Sequence, residues 1–97
     1  MGKLEGELPV QIGRQGERIA FKHLCEKYCR KSVKWVNEDS ETGNPYDITV
    51  AAEGGIQYIE VKATRSIDKD WFFISVQEWE FAAHEGGSFS IARVFLL

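Results

Sequence analysis

Residues 46–51 and 56–62 are two alternating apolar-polar runs flanking Ala52-Glu53-Gly54-Gly55, and no other stretch constrains the fold of this chain as tightly. Glycines supply the positive φ that tight hairpin turns need, so the two runs read as antiparallel strands joined by a short turn. With the turn centred between Glu53 and Gly54, opposed residues have numbers summing to 107, which sets Asp47 against Glu60. Opposed residues share a face with their Cβ atoms about 5 Å apart, and at an effective dielectric near 20 two like charges at that spacing repel by roughly 3 kcal/mol. A bound cation, a raised pKa that keeps one acid protonated, or a slipped register would each relieve the repulsion. The cation accounts for the most residues. Side chains alternate along a strand, so Lys62 points the same way as Glu60, and two acids and an ammonium meet on one face. Two carboxylates with room for waters suit magnesium or manganese, and a lysine beside them suits positioning or activating an attacking water. That is equipment for phosphodiester hydrolysis.

The rest of the chain supplies a scaffold. Its 97 residues make one domain with one modest core. Residues 1–11 lack periodicity and read as a flexible leader, leaving 12–97 as the domain. Between residues 12 and 28, Ala20, Phe21, Leu24 and Tyr28 recur at helical spacing, and Glu17 falls inside that apolar stripe. A carboxylate there calls for a partner, unless it is a solvated acid favoured by the helix dipole. Residues 32–36 read as a strand and 37–45 as a surface loop. Residues 71–74 form a short apolar strand or extended segment. Ser75-Val76-Gln77-Glu78 matches a capping box that opens a helix running to about Glu85, which Gly86-Gly87 terminate. Residues 88–97 read as a final strand.

No stretch approaches the roughly 20 apolar residues of a membrane helix, and the first residues have no apolar signal core, so a soluble intracellular setting is expected. Cys25 and Cys29 lie four apart in a helical stretch and read as reduced thiols. The net charge of −3 argues against nucleic-acid binding through a broad basic surface, although a metal site adds carboxylates to the count and a bound cation restores local positive charge. Arg65, Lys69 and Arg14 are candidate phosphate contacts, with a solvated charged loop as the plainer alternative. Trp71, Phe72, Phe73, Trp79 and Phe81 are expected to pack in the core rather than to stack on bases.

An early helical glutamate, an aspartate beginning a strand, Glu-X-Lys on the next strand, then a helix and a strand together resemble the restriction-endonuclease-like, or PD-(D/E)XK, nuclease core. Its order is helix-strand-strand-strand-helix-strand with a mixed sheet. The blocks IGRQGE, WVNEDSETGNPYDI, YIEVKATRS, WFFISVQEWEFA and FSIARVFLL look like the domain at the C-terminus of plant protein NO VEIN and its relatives. The resemblance implies that Glu17, Asp47, Glu60 and Lys62 form a catalytic set, with Asp47, Glu60 and Glu17 holding Mg2+ or Mn2+. Tyr46 stands between Pro45 and Asp47, so the literal Pro-Asp pair is absent. The resemblance further implies a DNA or RNA substrate, a place in a longer protein and a nuclear setting, and pairing of two active sites would make a homodimer.

Overall fold

A computed structural model describes residues 8–96. Residues 1–7 of the expected leader lie outside that range, but its last three residues already belong to the first helix, α1, Pro9–Lys27. The helix begins three residues earlier than the apolar periodicity indicates because its start is set by local chemistry. Pro9 occupies the first helical position, where its missing N–H costs nothing, and the Gln11 side chain accepts the Leu8 N–H at 3.0 Å.

After a 3-10 turn, Arg30–Ser32, come strands β1, Val33–Trp35, β2, Ile48–Ala52, and β3, Gly55–Thr64; helix α2, Val76–Glu85, then leads to β4, Phe89–Phe95. The sheet runs β1-β2-β3-β4, antiparallel in its first two pairings and parallel in the third. This is a small α/β domain with a mixed four-strand sheet and two helices, in the element order expected. The hairpin register is also the one expected, from Ile48 opposite Ile59 to Ala52 opposite Gly55, where Gly55 takes a φ of +121°.

Alternation along β3 separates two layers. Ile59 and Val61 join Ala20, Val33, Trp35, Ile48 and Val50 in the core beneath α1, with Phe21, Leu24, Ala92 and Val94 packed against it. The helix comes close enough to β3 that a Cβ at Gly16 would collide with that of Ala63, so glycine at position 16 is what lets α1 seat. The opposite face of β3 carries Tyr58, whose ring meets Phe81 of α2 edge-on at 4.9 Å, and Phe81 also touches Tyr46 and Phe89. Of the aromatic residues expected in the core, only Phe81 packs in this way. Trp71, Phe72, Phe73 and Trp79 are exposed, Phe73 at 80% and Trp79 at 65%. Trp79 stays exposed because α2 rests on one aromatic cluster and buries no residue fully, so its remaining apolar side chains have no second layer to enter; Trp71, Phe72 and Phe73 lie before α2 in a segment without regular structure. Among the described residues no helix is long and apolar enough to cross a membrane.

Candidate functional site

Asp47 lies one residue before β2 and is held from four sides. Its N–H donates to the Ile59 carbonyl at 2.9 Å and its carbonyl accepts the Val36 N–H at 2.8 Å. Its carboxylate accepts the Val61 N–H through Oδ2 and the Asn37 side-chain amide through Oδ1, each at 2.8 Å. The side chain thus brackets the backbone of Glu60 and fixes the two acids side by side, in hydrogen-bond contact. Glu60 also feels the negative charge of Glu78 of α2. Lys62, one step along the same face, places Nζ 3.3 Å from Glu60 Oε2 and 2.8 Å from Glu78 Oε1.

The capping box explains how Glu78 reaches the sheet. Ser75 accepts the Glu78 N–H at 3.0 Å, and Glu78 Oε1 accepts the Ser75 N–H at the same distance while also receiving Lys62. One carboxylate therefore starts the helix and ties it to β3. Glu17 arrives from the other layer: its Oε1 accepts the indole N–H of Trp35 at 2.8 Å, and the Arg14 guanidinium stands 3.9 Å away.

Glu17, Asp47 and Glu60 are each only 7% exposed. Burial pushes Glu17 up to about 7, against the indole hydrogen bond that favours its charged form. Burial, then the charges of Asp47 and Glu78, push Glu60 up to about 9. Asp47 is raised by burial as well, with the Val61 amide pulling the other way. For Lys62, burial disfavours the charge, but the hydrogen bond to Glu78 and the two neighbouring carboxylates outweigh it and hold the ammonium above the ordinary lysine range. Glu78 moves down, because Lys62 and the Ser75 amide overcome its own desolvation. At neutral pH the resting pair is a protonated Glu60 beside Asp47, and a Lys62–Glu78 ion pair.

The structure brings Asp47, Glu60 and Lys62 together, as the hairpin register requires. Glu17 lies near enough for the charge of Asp47 to help raise it, and among the described residues no three His, Cys, Asp or Glu side chains are grouped to hold a metal ion. The Asp47–Glu60 pair still fits a divalent cation of the magnesium kind, which takes one or two carboxylates and keeps most of its waters. Of the candidate phosphate contacts, Arg14 is already occupied. It donates to the Asn37 carbonyl and, at 2.6 Å, to the Glu38 carbonyl, and it stacks 4.9 Å over Trp35. Arg65 bonds the Gln15 side chain at 3.0 Å and Lys69 sits 4.3 Å over Trp71.

Three site residues escape the sequence reading. Asn37, placed in a surface loop, is buried at 3% exposure and orients Asp47 while its own oxygen takes the Thr42 N–H and hydroxyl. Trp35 satisfies Glu17. Glu78 is legible as a cap but not as a partner of Lys62, since a capping box says nothing about which strand the helix meets.

The profile described as Protein NO VEIN, C-terminal matches residues 16–97, a span that takes in Glu17, Asp47, Glu60, Lys62 and Glu78. The chain belongs to the NO VEIN C-terminal family. It is similar to Protein NO VEIN-LIKE of Arabidopsis thaliana, 54% identical over 97 residues and 98% of this chain. It is also similar to Protein NO VEIN of the same plant, 50% identical over 88 residues and 89% of this chain. The chain spans 15% and 3% of the lengths of these relatives, so in them the NO VEIN C-terminal domain is a small part of a much longer protein. No solved structure gives a significant match.

Proposed function

We propose that this NO VEIN C-terminal domain is a metal-dependent nuclease of the restriction-endonuclease-like, PD-(D/E)XK kind, hydrolysing phosphodiester bonds in nucleic acid. The observation that carries the reading is the Asp47–Glu60 pair, two buried acids close enough to feel each other's charge, with Lys62 3.3 Å from Glu60. The fold invests a strand register, a buried asparagine and a backbone amide in holding two acids where they repel. An exchangeable divalent cation gives that arrangement a use.

In this reading Asp47 and Glu60 hold magnesium or manganese, which when bound supplies Lewis-acid polarisation of a phosphoryl oxygen and a more acidic water. Asn37 and the Val61 amide keep Asp47 aimed. Lys62 donates a hydrogen bond to the attacking water or to the charge that develops on phosphorus oxygens. Glu78 sets the position of Lys62 and keeps it charged. Glu17, seated by Trp35 and within reach of the Asp47 charge, binds a second metal ion or holds a metal-bound water.

A second reading, a non-catalytic interaction module of the same fold, draws on the 2.8 Å Lys62–Glu78 contact, which engages the ammonium that catalysis would use. Calorimetric titration of Mg2+ and Mn2+ into wild type and an Asp47→Asn, Glu60→Gln double variant, with cleavage assays on DNA and RNA, separates the two. Metal binding lost in the double variant and cleavage lost in Lys62→Ala are the results expected of a nuclease. Binding without cleavage favours the module, and absence of binding in wild type sinks the proposal.

A further inference from the structure

The carboxylate pair is closed to a polymer. Side chains alternate along β3, so Tyr58, Glu60 and Lys62 share one face of the strand, and α2 lies across it. The helix meets both ends of the triplet, with Phe81 against Tyr58 at 4.9 Å and Glu78 against Lys62 at 2.8 Å. Glu60 lies between those two contacts and, like Asp47, is 7% exposed. A phosphodiester chain is too bulky to reach an acid so enclosed unless part of the helix moves.

The two halves of α2 are held unequally. Its second half is anchored, because Phe81 touches Tyr46, Tyr58 and Phe89, and the chain runs through Gly86–Ser88 directly into β4. Its first turn is not. Ser75, Val76, Gln77 and Trp79 are exposed, and the bonds that tie this turn to the rest of the fold are polar: Glu78 to Lys62, and the Gln77 side-chain amide to the Gly43 carbonyl at 3.2 Å. The chain leading into it has no regular structure. Arg93 grips that chain through the Lys69 and Trp71 carbonyls, at 2.6 and 3.0 Å, and stands 5.5 Å from the Phe72 ring. Residues 73–75 are left as a hinge. A segment with little buried surface, between a hinge and a single anchor, opens at lower cost than the sheet beneath it.

We infer that the first turn of α2 is a lid over Glu60, pivoting on Phe81 and latched by the Lys62–Glu78 ion pair, and that a phosphate group opens it by taking Lys62 from Glu78. The inference rests on the reading of Asp47, Glu60 and Lys62 as the reacting groups, and it adds how that site is kept shut. One contact governs two things. While Glu78 holds Lys62, the ammonium is engaged and Glu60 is covered; when an anion competes for the ammonium, the lysine is released and the cover loses its tie to the sheet. The same Glu78 carboxylate also accepts the Ser75 N–H, so the opened turn keeps its cap and lifts as a helix end rather than melting.

The test uses the whole 97-residue chain in chelator, without nucleic acid. Amide exchange by NMR reads the Glu78 and Trp79 N–H groups, which the Ser75 hydroxyl and carbonyl hold, and carbodiimide-driven amidation read by mass spectrometry reports access to the Glu60 carboxyl. Glu78→Gln removes the ion pair while keeping a side chain able to complete the capping box, and Lys62→Met removes it from the other side. Each should speed exchange at the two amides and amidation of Glu60 about fivefold, with β2 and β3 exchanging as before. Glu80→Gln, an equal loss of charge at an exposed position of the same helix, should change neither. Inorganic phosphate should speed exchange at the two amides in wild type and not in Lys62→Met. Exchange at Glu78 and Trp79 as slow as in β3, acceleration shared equally by β2 and β3, or no response to phosphate would each overturn the inference. These readouts need no metal and no cleavage: a lid that opens in a protein that binds no Mg2+ supports the inference and sinks the nuclease, whereas a rigid α2 in a protein that binds Mg2+ and cleaves overturns the lid alone.

Discussion

Replacing Glu60 with glutamine tests the reasoning about the carboxyl pair more sharply than removing it would. Glu60 is pushed from 4.5 up to about 9, so within that window the folded chain binds a proton that the unfolded chain has released. The native state then holds more protons than the unfolded one, and stability falls as pH rises from 4.5 to about 9. Glutamine keeps the shape, donates to Asp47 as the protonated acid does, still offers an oxygen to Lys62, and has no proton to lose. At pH 7 the wild-type acid has been carried about 2.5 pH units above its unfolded pKa, a cost of about 3 kcal/mol at 1.36 kcal/mol per unit. That is an upper figure, since water entry relaxes a buried carboxylate. The contribution of Glu17 is common to both proteins and cancels. Urea denaturation followed by tryptophan fluorescence, in chelator, at pH 4.5, 7 and 9 should show near-equal stability at the lowest pH. Glu60→Gln should become progressively more stable than wild type above it. A difference that stays flat with pH, or a variant less stable than wild type at pH 7, would refute the account of the pair.

Binding of Mg2+ at Asp47 and Glu60 has to displace the Glu60 proton, so calorimetric affinity should rise by about tenfold per pH unit between pH 7 and 9; a pH-independent affinity would place the ion elsewhere. Gly16→Ala should destabilise the fold by about 1–3 kcal/mol through overpacking against Ala63, measured by thermal unfolding, with Ala63→Gly restoring part of the loss. Trp35→Phe should cost about 1–3 kcal/mol by leaving the Glu17 carboxyl without its indole donor. The same variant should move the Glu17 titration above its present value of about 7, read by carboxyl 13C shifts.

The hairpin was legible because strand geometry leaves little freedom: a side-chain period of two and a glycine turn specify which residues oppose, and Asp47, Glu60 and Lys62 follow from that alone. Glu17 was legible as a misplaced charge on an apolar stripe, but its layer was not, since periodicity gives the face of a helix and says nothing about which side of a sheet it covers. Asn37 looked like a loop residue because polarity in a turn-rich stretch normally means solvent. Its burial depends on Asp47, ten residues away, and on Arg14 gripping the same loop from α1. The aromatic residues misled for the opposite reason. Apolar composition predicts a wish to be buried, whereas actual burial needs neighbours, and the second face of this sheet supplies them only to Phe81.

The balance of charge within the site links the two functional readings. Four acids, Glu17, Asp47, Glu60 and Glu78, face Lys62 and Arg14, and with both cations paired the group still carries more acid than it can ionise. A proton on Glu60 meets that excess at neutral pH. A divalent cation would meet it better, because it compensates Asp47 and Glu60 together, and the Lys62–Glu78 pair would then feel less negative potential. Lys62 lies between these two sets of carboxylates, with its position decided by which is the more negative. Loading the pair should therefore draw Lys62 towards Glu78, while a phosphate group entering the site would draw it back. A module that never meets such an anion would keep the Lys62–Glu78 pair permanently, so the Lys62 Nζ resonance, compared with metal alone and with metal plus a non-hydrolysable dinucleotide, separates an enzyme from a docking domain even before cleavage is observed.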